Sequence, residues 1–335
     1  VSRAHLEKVS VVIPAYNRSD LIGETLQSVL AQTLRPHEII VVDDGSTDNT
    51  ADVVAAFSSD VRLIQQENQG PGAARNRGLQ ESTGDVIHFM DSDDLVSPNM
   101  HEAQLRVLNS EGADFAYGPW VKTRFDGPSL HCQKVVIQQR AVPDTAGMKQ
   151  WVMRGWVSVF QACLIRKSLL EKAGPYRTNI KSADDSELLF RIAKTGAVFA
   201  HTPETLLVYR VHPEGQISAQ NSTAQRIDWV RYLDSVQQFC DDSERLDTRT
   251  DLAFTFRKIE AVRAAGVQGH EETDRLAATV SRPMFVLHTL AKPFVRAVKR
   301  GRRSRYGDSY IPAFCPGPMT EHQRTLIRQM CCELS

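Results

Sequence analysis

The sequence predicts an α/β protein: a mostly parallel sheet flanked by helices, with a helical C-terminal extension. Three observations predict it. Short β-branched runs alternate with helically spaced apolar residues over the first ninety positions. The runs are almost continuously apolar, as burial on both faces of a parallel sheet demands. Polar clusters follow three of them, where ligands bind in open sheets of this kind.

The elements follow in chain order. Val9 to Pro14 (VSVVIP) reads as the first strand, closed by a proline. Asp20 to Gln32 carries Ile22, Leu26, Val29 and Leu30 at helical spacing, with Ser19 or Asp20 placed to cap it. Glu38 to Val42 (EIIVV) is the second strand, and a helix is expected over Thr50 to Phe57. Val61 to Gln65 is the third strand. Pro71 suits the first position of a helix running to Leu79, and Asp85 to Met90 is the fourth strand. Beyond residue 100 the pattern loosens. Pro98 to Glu111 and Ser186 to Lys194 read as helices. Phe115 to Arg124, Lys134 to Gln139, Ala197 to Ala200 and Leu206 to Val211 read as strands. From Thr223 the pattern is mostly helical. The expected organisation is an α/β domain over about 8–220, with its halves meeting near residue 97, and a mainly helical region over 221–335.

Length and charge bound the partners. The chain has 335 residues, enough for a substantial core, and 40 basic residues balance 40 acidic ones. Bulk charge therefore nominates no nucleic-acid partner. The six cysteines, at 132, 163, 240, 315, 331 and 332, include no Cys-x-x-Cys pair and fit free thiols in a reducing compartment. The start has no apolar core of a signal peptide, and no run approaches the roughly 18 apolar residues of a membrane span. The expectation is a cytoplasmic protein, with peripheral contact at the inner face of the membrane a candidate. The stretch 284–305 motivates that candidate. Met284, Leu287, Ala291, Phe294 and Val298 form an apolar stripe, interrupted by Pro293. Seven basic residues lie between Lys292 and Arg305. A basic amphipathic helix can dock on an anionic membrane or pack on the protein with a solvated basic face.

Asp91-Ser92-Asp93 follows a buried strand. Carboxylates one residue apart at a strand end can share a hard cation such as Mg²⁺ or Mn²⁺, though such a pair also serves as a turn or cap. The wider set is more specific. VSVVIPAYNR at 9–18, EIIVVDDGSTDNT at 38–50, NQGPGAARNRGL at 68–79 and GDVIHFMDSDD at 84–94 resemble, in order and spacing, the inverting glycosyltransferase family 2. The resemblance continues more faintly to about residue 215. It implies the Rossmann-like GT-A fold and a metal-dependent, hexosyltransferase-type enzyme using a nucleotide sugar, UDP-linked by the reading of Asp44. Its acceptor would be a glycan or lipid-linked hydroxyl.

The resemblance also implies roles. Pro14, Ala15 and Tyr16 would line the base pocket, and Asp44 would accept a hydrogen bond from the base. Arg75 would reach base or diphosphate. Asp91 and Ser92 would contact the nucleotide sugar, and Asp93 would ligate the metal with Asp91 beside it. Asp43 would cap a turn. SADDSELLFRIAKTG at 182–196 resembles the family's paired-acid motif, with Asp184 where glutamate is usual and Asp185 as the base. A helix dipole at that position would favour the ionised carboxylate and weaken it as a base. Trp156 is a candidate acceptor wall and His212 a candidate loop residue near diphosphate or metal. Each has a plainer reading: Tyr16 or Trp156 as core aromatics, Arg75 as a surface ion pair, Asp184 and Asp185 as helix caps. A non-catalytic nucleotide-sugar binder remains the alternative. A dinucleotide oxidoreductase is disfavoured, because Pro-Ala-Tyr-Asn-Arg stands where a Gly-x-Gly-x-x-Gly turn would be.

Overall fold

A computed structural model describes residues 7–126, 129–133, 135–143, 147–212, 222–241, 246–266, 270–291 and 317–332. The first half alternates as expected. β1 (Val9–Ala15), α1 (Ile22–Leu30), β2 (Glu38–Asp43), α2 (Thr50–Ala55), β3 (Val61–Gln65), α3 (Pro71–Glu81) and β4 (Val86–Phe89) follow one another. β2 and β4 flank β1, and β3 flanks β2, all in parallel. β1, β2 and β4 are buried along nearly their whole length, which is why their sequences lack alternation.

The middle of the chain supplies β5 (Leu95–Val96), α4 (Met100–Ser110), β6 (Phe115–Tyr117), β7 (Trp120–Asp126), β8 (Ser129–Cys132), β9 (Val135–Val136) and α5 (Met148–Met153). Next come β10 (Cys163–Arg166), α6 (Lys167–Ala173), α7 (Asp184–Lys194), β11 (Phe199–His201) and β12 (Leu207–Val211). The main sheet has seven strands in the order β11-β6-β10-β4-β1-β2-β3. β10 runs antiparallel between β4 and β6, so the sheet is mixed. A second sheet has the order β5-β12-β7-β8.

Two local expectations change. Phe115 to Arg124 is not one strand. It breaks at Gly118-Pro119, with β6 in the main sheet and β7 in the second. Proline has no N–H for a ladder, and a Cβ on Gly118 would lie 2.1 Å from Thr205 Oγ1. Neither Ser19 nor Asp20 caps α1. Its N-cap is Leu21, without a side-chain bond. The entry is instead held from afar: Arg18 N donates to Thr50 Oγ1 (2.7 Å) and Ser19 N to Asp48 Oδ2 (3.1 Å).

The C-terminal region adds α8 (Thr223–Asp241), α9 (Thr248–Ala265), α10 (Glu271–Ala278), α11 (282–291), β13 (Gly317–Pro318) and α12 (Glu321–Cys332). α9 is capped in the usual way, with Asp247 accepting from the N–H groups of Arg249 and Thr250. Val230, Leu233 and Phe254 join the same apolar cluster as Ile87, Phe89 and Leu189, so the core runs on past residue 220. Phe294, Val298 and the basic residues after Ala291 lie outside the described residues.

α3 lies close on β1. A Cβ at Gly78 would sit 2.3 Å from Cγ1 of the wholly buried Val12. Gly78→Ala should therefore destabilise the protein by about 1–3 kcal/mol through overpacking, although alanine is the better helix former. Urea unfolding measures this, and an unchanged or higher midpoint would contradict the close packing.

Candidate active site

Because β1, β2 and β4 are parallel neighbours, the segments that follow them meet at one edge of the sheet. Asp44 N donates to Ala15 O (2.8 Å), joining the first two tips. Pro14 and Ala15 are buried, whereas Tyr16 is 45% exposed and so is not a core aromatic. Asp43 Oδ1 accepts from Ser46 N (3.0 Å) and closes the turn. Asp44 is buried and fastens the loop before α3. Its Oδ1 accepts from Gln66 Nε2 (2.7 Å) and Gln69 N (2.9 Å), and its Oδ2 from Gly70 N (2.7 Å). Gly70 has φ +91° at that point, in the region glycine tolerates.

The acidic tip after β4 is held by cations from several elements. Asp91 Oδ1 accepts from Arg75 Nη2 (2.7 Å), and Gln161 Nε2 donates to its other oxygen. Ser92 is buried. Asp93 Oδ2 lies 2.9 Å from His212 Nε2 and 3.3 Å from Arg18 Nε. Burial would raise the Asp93 pKa. The bond to His212 and the charges of Arg18 and Arg210 outweigh it and hold the carboxyl below its usual range. Asp94 goes the other way. Burial, then Asp93 and Asp91, push it well above the ordinary value.

One Asp94 oxygen accepts from Arg210 N (2.9 Å); the other is buried without a hydrogen-bond partner. Asp91, Asp93 and Asp94 each offer an oxygen within 4.8 Å of the others. An all-oxygen set with an orphaned carboxylate oxygen suits a hard divalent cation such as Mg²⁺ or Mn²⁺. Asp94 adds a donor to the Asp91–Asp93 pair expected from sequence.

Arg75 connects this edge to the second acidic pair. It is buried; Nη2 donates to Asp91, Nη1 donates to Asp184 Oδ2 (2.8 Å) and lies 4.0 Å from Asp185 Oδ1. Its guanidinium also sits over the Tyr176 ring, 5.3 Å from the centroid. Arg75 is therefore not a surface ion pair, and its two terminal nitrogens are engaged by carboxylates rather than held out toward a base or diphosphate.

Neither Asp184 nor Asp185 caps α7, whose N-cap, Ala183, makes no side-chain cap bond. Asp185 Oδ1 accepts from Tyr176 OH (3.0 Å). Burial and the neighbouring Asp185 push Asp184 up to about 7. Burial also raises Asp185, with Arg75 opposing and Asp91 reinforcing. The shift runs opposite to the one expected from the helix dipole: burial moves the Asp185 carboxyl upward from its ordinary value.

Tyr176 carries no signal in the sequence. Asn76, beside Arg75, clamps its backbone with two bonds, Nδ2 to Tyr176 O (2.9 Å) and Tyr176 N to Oδ1 (2.8 Å). Gln161 was also missed. Its carbonyl is bonded to His88 Nε2 (2.9 Å), His88 Nδ1 meets His101 Nε2 (3.0 Å), and His101 Nδ1 faces Leu34 O (3.3 Å). Trp156 is corrected as an acceptor wall. It is wholly buried, edge-on to Tyr117 and Phe199, and has no surface to offer a ligand.

Comparison with known proteins places this arrangement. Residues 10–174 match the family model for Glycosyl transferase family 2. That segment belongs to the family. The chain is 30% identical over 209 residues to the uncharacterized glycosyltransferase RP339 of Rickettsia prowazekii, covering 61% of this chain and 64% of that one. It is 38% identical over 112 residues to YibD of Escherichia coli, covering 32% and 33%. It spans only 21%, 31% and 18% of the length of the Rickettsia felis, conorii and bellii glycosyltransferases it matches.

Among solved structures, S. aureus TarS 1–349 in complex with UDP-GlcNAc aligns with TM-score 0.56 at 18% identity, over 91% of this chain and 93% of that one. The mannosyltransferase PcManGT of Pyrobaculum calidifontis, in complex with GDP-Man and Mn²⁺, aligns with TM-score 0.56 at 20% identity, over 99% and 88%. At these identities the likeness is one of fold, and the fold of this chain is GT-A.

Removing Arg75 would leave Asp91, Asp184 and Asp185 facing one another. Arg75→Ala should cost about 3–5 kcal/mol at pH 8, as loss of one member of a buried ion pair does. The remaining carboxyls would bind protons more readily folded than unfolded. Stability is then present at low pH and lost as pH rises through their raised folded values. The deficit should shrink at pH 5, and urea unfolding showing an equal deficit at both pH values would contradict the assignment.

Proposed function

We propose that the protein is an inverting glycosyltransferase. It moves a sugar from a nucleotide-diphosphate donor, UDP-linked, to a hydroxyl of a glycan or lipid-linked acceptor, in surface polysaccharide or glycoconjugate synthesis. The observation that carries this reading is Arg75, bonded at once to Asp91 of the donor edge and Asp184 beside the base. Donor-binding and proton-accepting carboxylates are thereby held around one cation. The UDP-GlcNAc of TarS and the GDP-Man and Mn²⁺ of PcManGT support a nucleotide-sugar donor and a metal on this fold. Uridine rests on Asp44: a carboxylate oxygen can accept two hydrogen bonds, and Oδ2 takes one from Gly70.

Asp185 accepts the proton of the acceptor hydroxyl, which attacks the anomeric carbon from the face opposite the nucleotide and inverts it. Tyr176 fixes one oxygen of Asp185 and so sets where the other faces. A Mg²⁺ or Mn²⁺ held by Asp91, Asp93 and Asp94 would supply Lewis-acid stabilisation of the departing diphosphate. A single displacement needs one base and no protein nucleophile.

Calorimetry with UDP, UDP-sugars and GDP-sugars, each with and without Mn²⁺, tests the donor site. Metal-dependent binding is expected. Asp185→Asn should keep UDP binding and lose transfer by about 10²–10⁴-fold. Nucleotide binding indifferent to metal, or turnover unchanged in Asp185→Asn, would sink the reading. A non-catalytic binder on this fold would bind the donor yet show no turnover for Asp185→Asn to abolish.

Membrane contact is a further part of this proposal. Among the described residues no helix is long and apolar enough to cross a membrane. Instead, Val286, Leu287 and Leu290 of α11 are 59%, 46% and 73% exposed, just before the basic stretch. Met284 and Ala291 are half-buried, so the expected apolar stripe is divided between solvent and protein. Co-sedimentation with phosphatidylglycerol vesicles, weakened by Leu287→Asp/Leu290→Asp and absent with phosphatidylcholine, is the expected result. Equal recovery of wild type and variant would count against it.

A further inference from the structure

α7 carries Asp184 and Asp185 in its first turn, yet begins without a side-chain cap. The two side chains that could have capped it are used elsewhere, one by Arg75 and one by Tyr176. The loop that leads into this helix is held from outside, by α8, which belongs to the C-terminal region and lies beyond the segment that matches the family model.

Asp228 of α8 is 6% exposed, and its Oδ2 accepts from two consecutive backbone donors, Lys181 N (3.0 Å) and Ser182 N (3.1 Å). Its other oxygen faces Arg231 Nη1 at 3.4 Å, and that nitrogen also donates to Asn179 O (3.1 Å). Arg231 Nε reaches Glu272 of α10 (3.3 Å), tying the grip to a second C-terminal helix. Charge-assisted bonds to backbone are strong and directional. The gripped loop ends directly before Asp184. It also touches the donor edge: the Lys181 side chain passes Gly70, its Cε 3.6 Å from where a Cβ there would lie.

We propose that Asp228 is a positioning residue for glycosyl transfer: through Lys181 and Ser182 it sets the backbone that aims Asp185 at the acceptor hydroxyl. The inference rests on Asp185 being the base. It gives the C-terminal helices a part in catalysis, because the carboxylate that orients the base comes from them. The proposed donor residues follow β1, β2 and β4, and Asp228 bonds none of them: its partners are Lys181 N, Ser182 N and Arg231, so loss of Asp228 acts on turnover more than on nucleotide affinity.

The test compares wild type, Asp228→Ala, Asp228→Asn and Asp185→Asn, full-length, in Mn²⁺. UDP release from UDP-GlcNAc gives kcat, and calorimetry gives UDP affinity. Asp228→Ala should lower kcat about 10- to 100-fold, as a small misplacement of a reacting group does, with UDP affinity within about twofold of wild type. Asp228→Asn, which keeps an acceptor oxygen, should restore most of the rate. Should Asp228→Ala not fold, Asp228→Ser replaces it with the same expectation. A folded variant with wild-type kcat, or one whose UDP affinity falls in proportion to kcat, overturns the inference. If Asp185→Asn is inactive while Asp228→Ala turns over normally, this inference alone falls. If Asp185→Asn keeps wild-type turnover, the functional reading falls and takes this one with it.

Discussion

One buried guanidinium organises the site. Arg75 sits among the carboxylates of Asp91, Asp184 and Asp185, which come from the segment after β4 and from the first turn of α7. Burial opposes its charge, but Asp91 and Asp185 outweigh that and make it still harder to deprotonate. The three acids would repel one another without it. Their approach at the edge of the sheet is possible because a permanent cation lies between them. Its placement is set in turn by α3, which is held against β1 at Gly78 and joined to the backbone of Tyr176 through Asn76.

The same burial divides the acids into two kinds. Asp93 is drawn down by His212, Arg18 and Arg210 and stays ionised, while its neighbour Asp94 is pushed up by burial and then by Asp93 and Asp91. Asp184 is pushed up to about 7 and Asp185 above its ordinary value, in both cases first by burial. Carboxyls of one residue type acquire different chemistry from the number of cations around each. Arg210 contributes twice, with its backbone N–H on Asp94 and its guanidinium on the Asp93 carbonyl.

The strands and the acidic tips were legible in the sequence because their signals are local. A buried parallel strand must be apolar throughout, and its ligand-facing tip follows it directly. Asp184-Asp185 stood out only through its resemblance to the family's paired-acid motif, because an acidic pair before an amphipathic helix reads locally as a cap. The pairing of Arg75 with Asp184 spans 109 residues and leaves no periodic trace. Tyr176 was silent because a tyrosine in a loop looks the same whether its hydroxyl meets water or a base. β10 was missed because four residues between two antiparallel neighbours carry too little pattern. Trp156 admitted two readings until its neighbours were known, and burial decided for the core.

The histidine pair beneath Gln161 has a consequence in proton parity. Burial keeps both rings below their ordinary pKa, and His88 lowers His101 further, so both are neutral. Three contacts run from Leu34 O through the two rings to Gln161 O, and each needs one hydrogen, but two neutral imidazoles carry two. One of the three contacts therefore goes without a hydrogen, and the pair of tautomers decides which. Where the missing hydrogen falls at either end, both ring hydrogens point the same way along the chain. The chain ends on the residue whose amide holds Asp91.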